Sequence, residues 1–339
     1  MPETAHPPDP ELHREQQHLA ESRRQLARMR ERTASMDAGA AADWVSREFL
    51  QSTFALRMKQ LADDPTVPLF FGRLDYGDGS DHGGESFHIG RRHVTGPDGD
   101  ALVVDWRAPV STPFYRASST DPMGVDLRRR YGFARGELTG FEDEPLTGGG
   151  GAEHSAILEA EIERPRVGPM RDIVATIQPE QDVIVRADLA RSICVQGAPG
   201  TGKTAVGLHR AAYLLYAHRE QLSRQGVLVV GPNDSFLRYI RDVLPALGEV
   251  EATQATIEEL VTAPLPEGRR VRAGEPDDVA TLKGDARMAE VLHRAVWSGV
   301  GTPTEALVVP RGSRRWRVPA HEVEEVLEGL RTRGVRYAA

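Results

Sequence analysis

The hydrophobic positions of this chain change period along its length, and the changes mark out its segments. From Glu11 to Met36 the sequence is charged and free of helix breakers, with Leu12, Leu19, Leu26, Met29, Thr33 and Met36 on one stripe. Leucine at a heptad step predicts a helix with a coiled-coil seam, narrow because Gln16 and Arg23 interrupt it with polar side chains. A turn at Asp37–Ala40 and a second helical run from Asp43 to Ala62, with Trp44, Leu50, Phe54, Met58 and Leu61 on one side, complete an antiparallel helical hairpin. Such a hairpin serves packing or dimerisation, or it is an arm that reaches into a partner.

Pro65 and Pro68 close the second helix, and the period drops to that of strands. Leu69–Tyr76, Ser86–Gly90, Ala101–Trp106, Arg128–Phe133 and Glu137–Phe141 read as short strands of a small antiparallel layer, joined by glycine-rich turns at Gly77–Gly84 and Gly96–Asp100. Pro113–Arg116, interrupted by proline, reads as an edge or a loop. Asp105–Pro109 reads as a locked turn with Trp106 as anchor and Arg107 as carboxylate partner. Gly148–Gly151 is a flexible joint.

Beyond the joint, Ala156–Ile162 and Met170–Thr176 are amphipathic helical pieces. Ser192–Gln196 reads as a short buried strand, Ala205–Tyr216 as a helix and Val227–Val230 as an apolar strand ending in Gly231-Pro232. Asp234 or Ser235 then caps a helix over Phe236–Leu244, and Ile257–Leu260 begins a further element. This β-loop-α-β-α order predicts the start of a parallel α/β sheet. From Pro264 to Asp278 proline, glycine and charge dominate. A helix at Ala286–Val296, a β-like stretch at Ala306–Val309 and a final amphipathic helix from Ala320 to Arg333 follow.

Between the strand at Ser192–Gln196 and the helix at Ala205 lies Gly197–Thr204, which fits G-x-x-x-x-G-K-[ST] at every fixed position. Gly197, Gly200 and Gly202 lack a Cβ, so the backbone, with Thr201 between them, can approach phosphate oxygens closely. Lys203, the catalytic candidate, is expected to reach the β- and γ-phosphates, and the Thr204 hydroxyl to hold Mg²⁺. The alternative is an ordinary glycine-rich turn, which the flanking strand and helix disfavour. ATP with Mg²⁺ is therefore the expected cofactor.

Composition narrows the class. The 339 residues carry 40% hydrophobic and 27% charged side chains, as soluble globular chains do, and a net charge of −8 excludes global attraction to nucleic acid. Local basic runs at Arg91-Arg92, Arg128–Arg130 and Arg314–Arg317 are each read first as solvated faces. The single cysteine, Cys194, excludes an intrachain disulfide and is expected as a small buried hydrophobe in the strand before the loop. No apolar run has the length of a membrane span and Met1–Pro8 is not a signal peptide, so a cytoplasmic location without membrane contact is expected. His82, His88 and His93 lack companion ligands at metal spacing and read as surface or core histidines.

An enzyme that hydrolyses ATP needs an acid at the end of a strand beside the loop. Val227–Val230 is followed by Gly-Pro-Asn, Asp234 comes late and suits a helix cap, and no arginine finger is visible.

Together these stretches resemble superfamily 1 helicases of the UvrD/Rep type, and more closely the HelD branch, motors that recycle RNA polymerase. The resemblance is carried by Ile177–Gln181, which is similar to the Q motif, by the loop Gly197–Thr204, by Val227–Asn233 with Phe236–Ile240 and Val243–Gly248, by Gly72–Asp75, Ile89–His93 and Asp105–Pro109, and by the hairpin. It implies that Gln181 bonds the adenine edge, Lys203 the phosphates and Thr204 magnesium. It further implies that the hairpin enters the polymerase and that DNA or RNA meets the motor.

The implied architecture is an incomplete RecA-like P-loop sheet preceded by the hairpin and the β layer. Its divisions are a hairpin arm (1–64), a β-rich domain (65–150), the first part of the motor domain (151–262) and the start of a family insertion (263–339). Relatives supply the acid and the arginine fingers after that insertion, so a truncated, frameshifted or split reading frame that binds ATP with little hydrolysis is expected. A nucleotide-regulated polymerase-binding module and a P-loop small-molecule kinase are the alternatives.

Overall fold

In the computed structural model the described residues are 9–36, 44–148, 155–163, 173–241, 243–247, 252–263, 274–311 and 314–334. The turn at Asp37–Ala40, most of the glycine joint, the first residues of Met170–Thr176 and the stretch from Pro264 into the 270s lie outside them. The chain divides into two units, Met1–Ala263 and Pro264–Ala339.

The first unit opens with α1 (Pro10–Ala34) and α2 (Trp44–Gln60). Asp9 caps α1 by accepting from the Glu11 amide, and Pro10 begins the helix where its missing N–H costs nothing. Six strands follow: β1 (Phe70–Tyr76), β2 (Ser86–Gly90), β3 (Val94–Thr95), β4 (Ala101–Asp105), β5 (Val125–Ala134) and β6 (Glu137–Pro145). They form one sheet in the order β3-β4-β2-β1-β5-β6. Only β2 and β4 run parallel, with Ile89 opposite Val104, so the layer is mixed and mostly antiparallel.

Successive strand residues point to opposite faces, and both faces of this sheet are covered. On one side Phe70, Val103, Tyr131 and Leu138 pack with Leu19 and Leu26 of α1 and with Leu61. The leucine stripe of α1 therefore meets the sheet. Of its polar interruptions, Gln16 donates to the Leu138 carbonyl of the sheet and Arg23 to the Asp63 carboxylate and the Val67 carbonyl in the segment that leads into β1. Phe71 and Val104, one residue on, turn to the other side and join a second core with Leu74, Ile89, Trp106 and Phe114. Gly72 lets that core close, since a Cβ there would lie 2.0 Å from the Phe114 ring.

Thr112–Arg116 is a short helix, α3, where an edge or loop was expected; Pro113 falls in its first turn, the one part of a helix that tolerates proline. The arginine runs here are structural. Arg128 pairs with Glu144 and Arg129 with Asp143 across the β5–β6 ladder, while Arg91 and Arg92 donate to backbone carbonyls of Pro68 and Gln60.

After α4 (Ala156–Glu163) come α5 (Pro179–Val185), α6 (Lys203–Ala217), α7 (Arg219–Gln225), β7 (Val227–Gly231), α8 (Asp234–Ile240), α9 (Val243–Ala246), β8 (Ala252–Thr256) and α10 (Ile257–Thr262). The second core continues through α5, α6, α8 and α9, with Val229 of β7 and Ala252 of β8 packed against it. β7 and β8 pair in parallel, Val227 opposite Ala252. The cap of α8 is Asn233, which accepts from the Phe236 amide, in place of the expected Asp234 or Ser235. The expected helix over Phe236–Leu244 is split into α8 and α9.

The strand expected at Ser192–Gln196 is not formed, and Cys194 is exposed rather than buried. A parallel strand needs neighbours along its edges and cover on both faces. In the described residues of this segment β7 and β8 pair only with each other, and Leu228 and Val230 are 49% and 47% exposed.

The second unit contains α11 (Asp277–Lys283), α12 (Met288–Ser298), an antiparallel hairpin of β9 (Leu307–Arg311) and β10 (Arg314–Val318), and α13 (Ala320–Thr332). It buries none of the described residues of its helices, and Leu292, Trp316 and Val326 are exposed. Among the described residues no helix is long and apolar enough to cross a membrane.

Candidate functional site

The glycine loop wraps the N-terminus of α6. Gly202 caps the helix at φ 80° and Gly200 stands at φ 85°, a left-handed backbone that side chains with a Cβ avoid. Their turn delivers the unpaired first-turn amides of a fifteen-residue helix to one point, with Lys203 and Thr204 as its first two residues. Within the loop the Thr201 hydroxyl donates to the Ala198 carbonyl at 2.9 Å. The Lys203 ammonium donates to the carbonyls of Gly197 and Ala198, both at 2.7 Å, so it closes back over its own loop. Thr204 is half-buried beside it.

Gln181 stands at the rim. Its Nε2 lies 3.5 Å from the Thr201 carbonyl, and its Oε1 accepts from the Gln178 amide in the capping box that starts α5. Loop, Lys203, Thr204 and Gln181 are thus brought together. These groups fit a nucleoside triphosphate chemically: amides and an ammonium for phosphate, a hydroxyl for a cation, and a carboxamide with a donor and an acceptor for a base edge. β7 ends at Gly231 and the next acid, Asp234, opens α8.

What holds α5 and α6 is less visible in the sequence. Arg210 of α6 donates to the carbonyls of Ile184 and Asp188, tying the end of α5 to α6. His209 is fully buried; its Nδ1 faces the Ala205 carbonyl at 2.7 Å and its Nε2 the Ile173 amide at 3.1 Å. An acceptor on one side and a donor on the other fix the neutral tautomer with the proton on Nδ1.

The turn Asp105–Pro109 then grips both helices. Arg107 forks onto the Asp105 carboxylate at 2.8 and 2.7 Å and lies 4.7 Å over the Tyr216 ring of α6. Trp106 is buried against His209, with ring centroids 5.7 Å apart. Arg186 of α5 donates to the carbonyls of Trp106 and Arg107. Asp182 receives Arg186 at 2.8 Å and Arg116 of α3 at 2.5 Å. The spacing of Asp182 and Arg186 was a readable helical pair. Arg116 is sixty-six residues from its partner and carried no signal in the sequence.

The layer that grips the loop helix is similar to a helicase-related domain. Residues 12–157 match the family model of the N-terminal domain of DNA helicase IV HelD, and this portion of the chain is similar to that domain. The match spans α1, α2 and the whole six-stranded sheet and stops before the glycine loop. No curated protein matches the chain.

Proposed function

We propose that this chain is the ATP-binding N-terminal part of a HelD-type superfamily 1 motor that acts on RNA polymerase, with DNA or RNA as a further contact. The HelD match supports the motor family, and the convergence of Gly200, Gly202, Lys203 and Thr204 on the head of α6 carries the nucleotide reading. On this reading β7 and β8 are part of a RecA-like sheet. The divisions are an arm (1–64), a β domain (65–150), the P-loop portion (151–262) and an insertion (263–339), and the protein works in the cytoplasm.

The site's own residues bind and orient. Lys203 leaves the carbonyls of Gly197 and Ala198 to meet the phosphates, the glycine backbone follows their contour, and Gln181 presents its carboxamide to adenine. Thr204 would hold Mg²⁺, which would supply charge neutralisation at the phosphate oxygens. No described strand beside the loop ends in an acid, so binding is expected with negligible turnover. That favours a nucleotide-regulated polymerase-binding module as the second reading.

Titration with magnesium and ATP tests the proposal. The wild-type chain takes up the nucleotide and Lys203→Ala does not, with melting temperature unchanged. A wild-type chain that leaves ATP free in solution overturns it. Capture by polymerase that persists in Lys203→Ala favours the module over the motor.

A further inference from the structure

Helix α5 has two working sides, and neighbouring residues point to each. Gln181 faces the glycine loop, its amide against the Thr201 carbonyl. Asp182, the next residue, turns the other way and is 0% exposed. Its two carboxylate oxygens are taken separately: Oδ1 by Arg186 Nε at 2.8 Å within the helix, and Oδ2 by Arg116 Nε at 2.5 Å from the β domain. Arg116 also donates to the Asp182 carbonyl at 3.2 Å, so side chain and backbone of one residue are held by one guanidinium. Arg186 passes the restraint on to the backbone of Trp106 and Arg107.

A helix of seven residues has little stiffness of its own in water, and its orientation is set by what grips it. Asp182 is where that grip is applied. Rotating α5 would pull the carboxylate from both arginines and would swing Gln181 off the loop. The loop's phosphate-binding groups sit on α6, which the Arg107 side chain holds by lying over the Tyr216 ring and forking onto Asp105, contacts that involve neither Asp182 nor Arg116.

We propose that Asp182, clamped by Arg116, is a positioning residue for base selection: it fixes the angle at which Gln181 meets the base and leaves phosphate capture to the loop. This rests on the nucleotide reading above. Two consequences separate it from general stabilisation. Loss of the clamp weakens ligands that carry adenine, and it spares ligands that offer phosphate alone.

The test is calorimetric titration of the full chain with Mg-ATP, Mg-GTP and magnesium tripolyphosphate, for wild type, Asp182→Asn, Asp182→Glu and Arg116→Gln. Breaking a charge-assisted bond at this grip is expected to weaken ATP by about tenfold in Asp182→Asn, with tripolyphosphate changed by less than about twofold. The preference of ATP over GTP falls towards unity, and Asp182→Glu restores part of it. Arg116, whose side chain is 31% exposed, gives the variant to be read if Asp182→Asn does not fold, and Arg116→Gln shifts the ratio in the same direction. An equal loss for all three ligands, or an unchanged ATP-to-GTP ratio, overturns the positioning role while the nucleotide site stands. A wild-type chain that binds none of the three overturns the nucleotide reading, and this inference with it.

Discussion

Glu15 of the first helix and His88 of β2 meet at 2.8 Å inside the seam between α1 and the sheet, with His18 stacked on His88 at 3.8 Å. Burial works against the Glu15 charge, yet the bond from His88 and the nearby Arg73 hold its carboxyl down at about 2. Burial pushes the His88 imidazole down to about 4, so it is neutral at pH 7 and donates to Glu15. Both groups therefore bind protons more readily unfolded than folded. The His88 contribution is complete above its ordinary 6.5 and fades as pH falls towards 4; the Glu15 contribution fades from 4.5 towards 2.

The seam is accordingly acid-sensitive. Urea unfolding is expected to show stability falling between pH 6.5 and 4 by on the order of 3 kcal/mol. His88→Gln should flatten that slope. An unchanged slope in the variant would remove His88 as its source.

A second prediction concerns the sheet's far face. Alanine at Gly72 places a methyl 2.0 Å from the nearest atom of the buried Phe114 ring. A cost of about 2–3 kcal/mol is expected in urea unfolding, partly recovered by adding Phe114→Leu. Additive costs for the two changes would show that the ring is not the obstacle.

The leucine stripe gives a third. Leu26 is fully buried under the sheet whereas Met36, on the same stripe, is 54% exposed. Leu26→Ala should cost about 2–5 kcal/mol at any protein concentration. Met36→Ala should stay within about 0.5 kcal/mol. A Leu26→Ala effect that vanishes on dilution would mean that the stripe packs against a second chain.

The open side of β7 gives a fourth. Leu228 projects from the strand away from the core that holds Val229. Leu228→Gln is expected to leave stability within about 0.5 kcal/mol, as at other exposed positions. A loss of several kcal/mol would place a covering element over that face.

Periodicity reported the local elements well. The alternation in β1, β2 and β4, the breaker-free run of α1 and the glycine loop with its helix were all readable, because each is a pattern within a few residues. The anchor turn at Asp105 was readable too, since Arg107 closes on a carboxylate two positions away. What Arg107 and Arg186 do for the loop helix was not, because Tyr216 and Trp106 come from distant parts of the chain. β3, two residues long, and β8, with only alanine and threonine around Gln254, are too short or too polar to stand out. The strand at Ser192–Gln196 failed for the opposite reason. Its composition suits a buried strand, but pairing depends on neighbours that composition cannot supply.

The same unpaired stretch leaves a practical opening. Cys194 is the only thiol in the chain, it is exposed, and it stands just ahead of Gly197. An environment-sensitive dye attached there would sit beside the loop in the unaltered sequence, and a change in its emission on adding magnesium and ATP would report the proposed binding in real time.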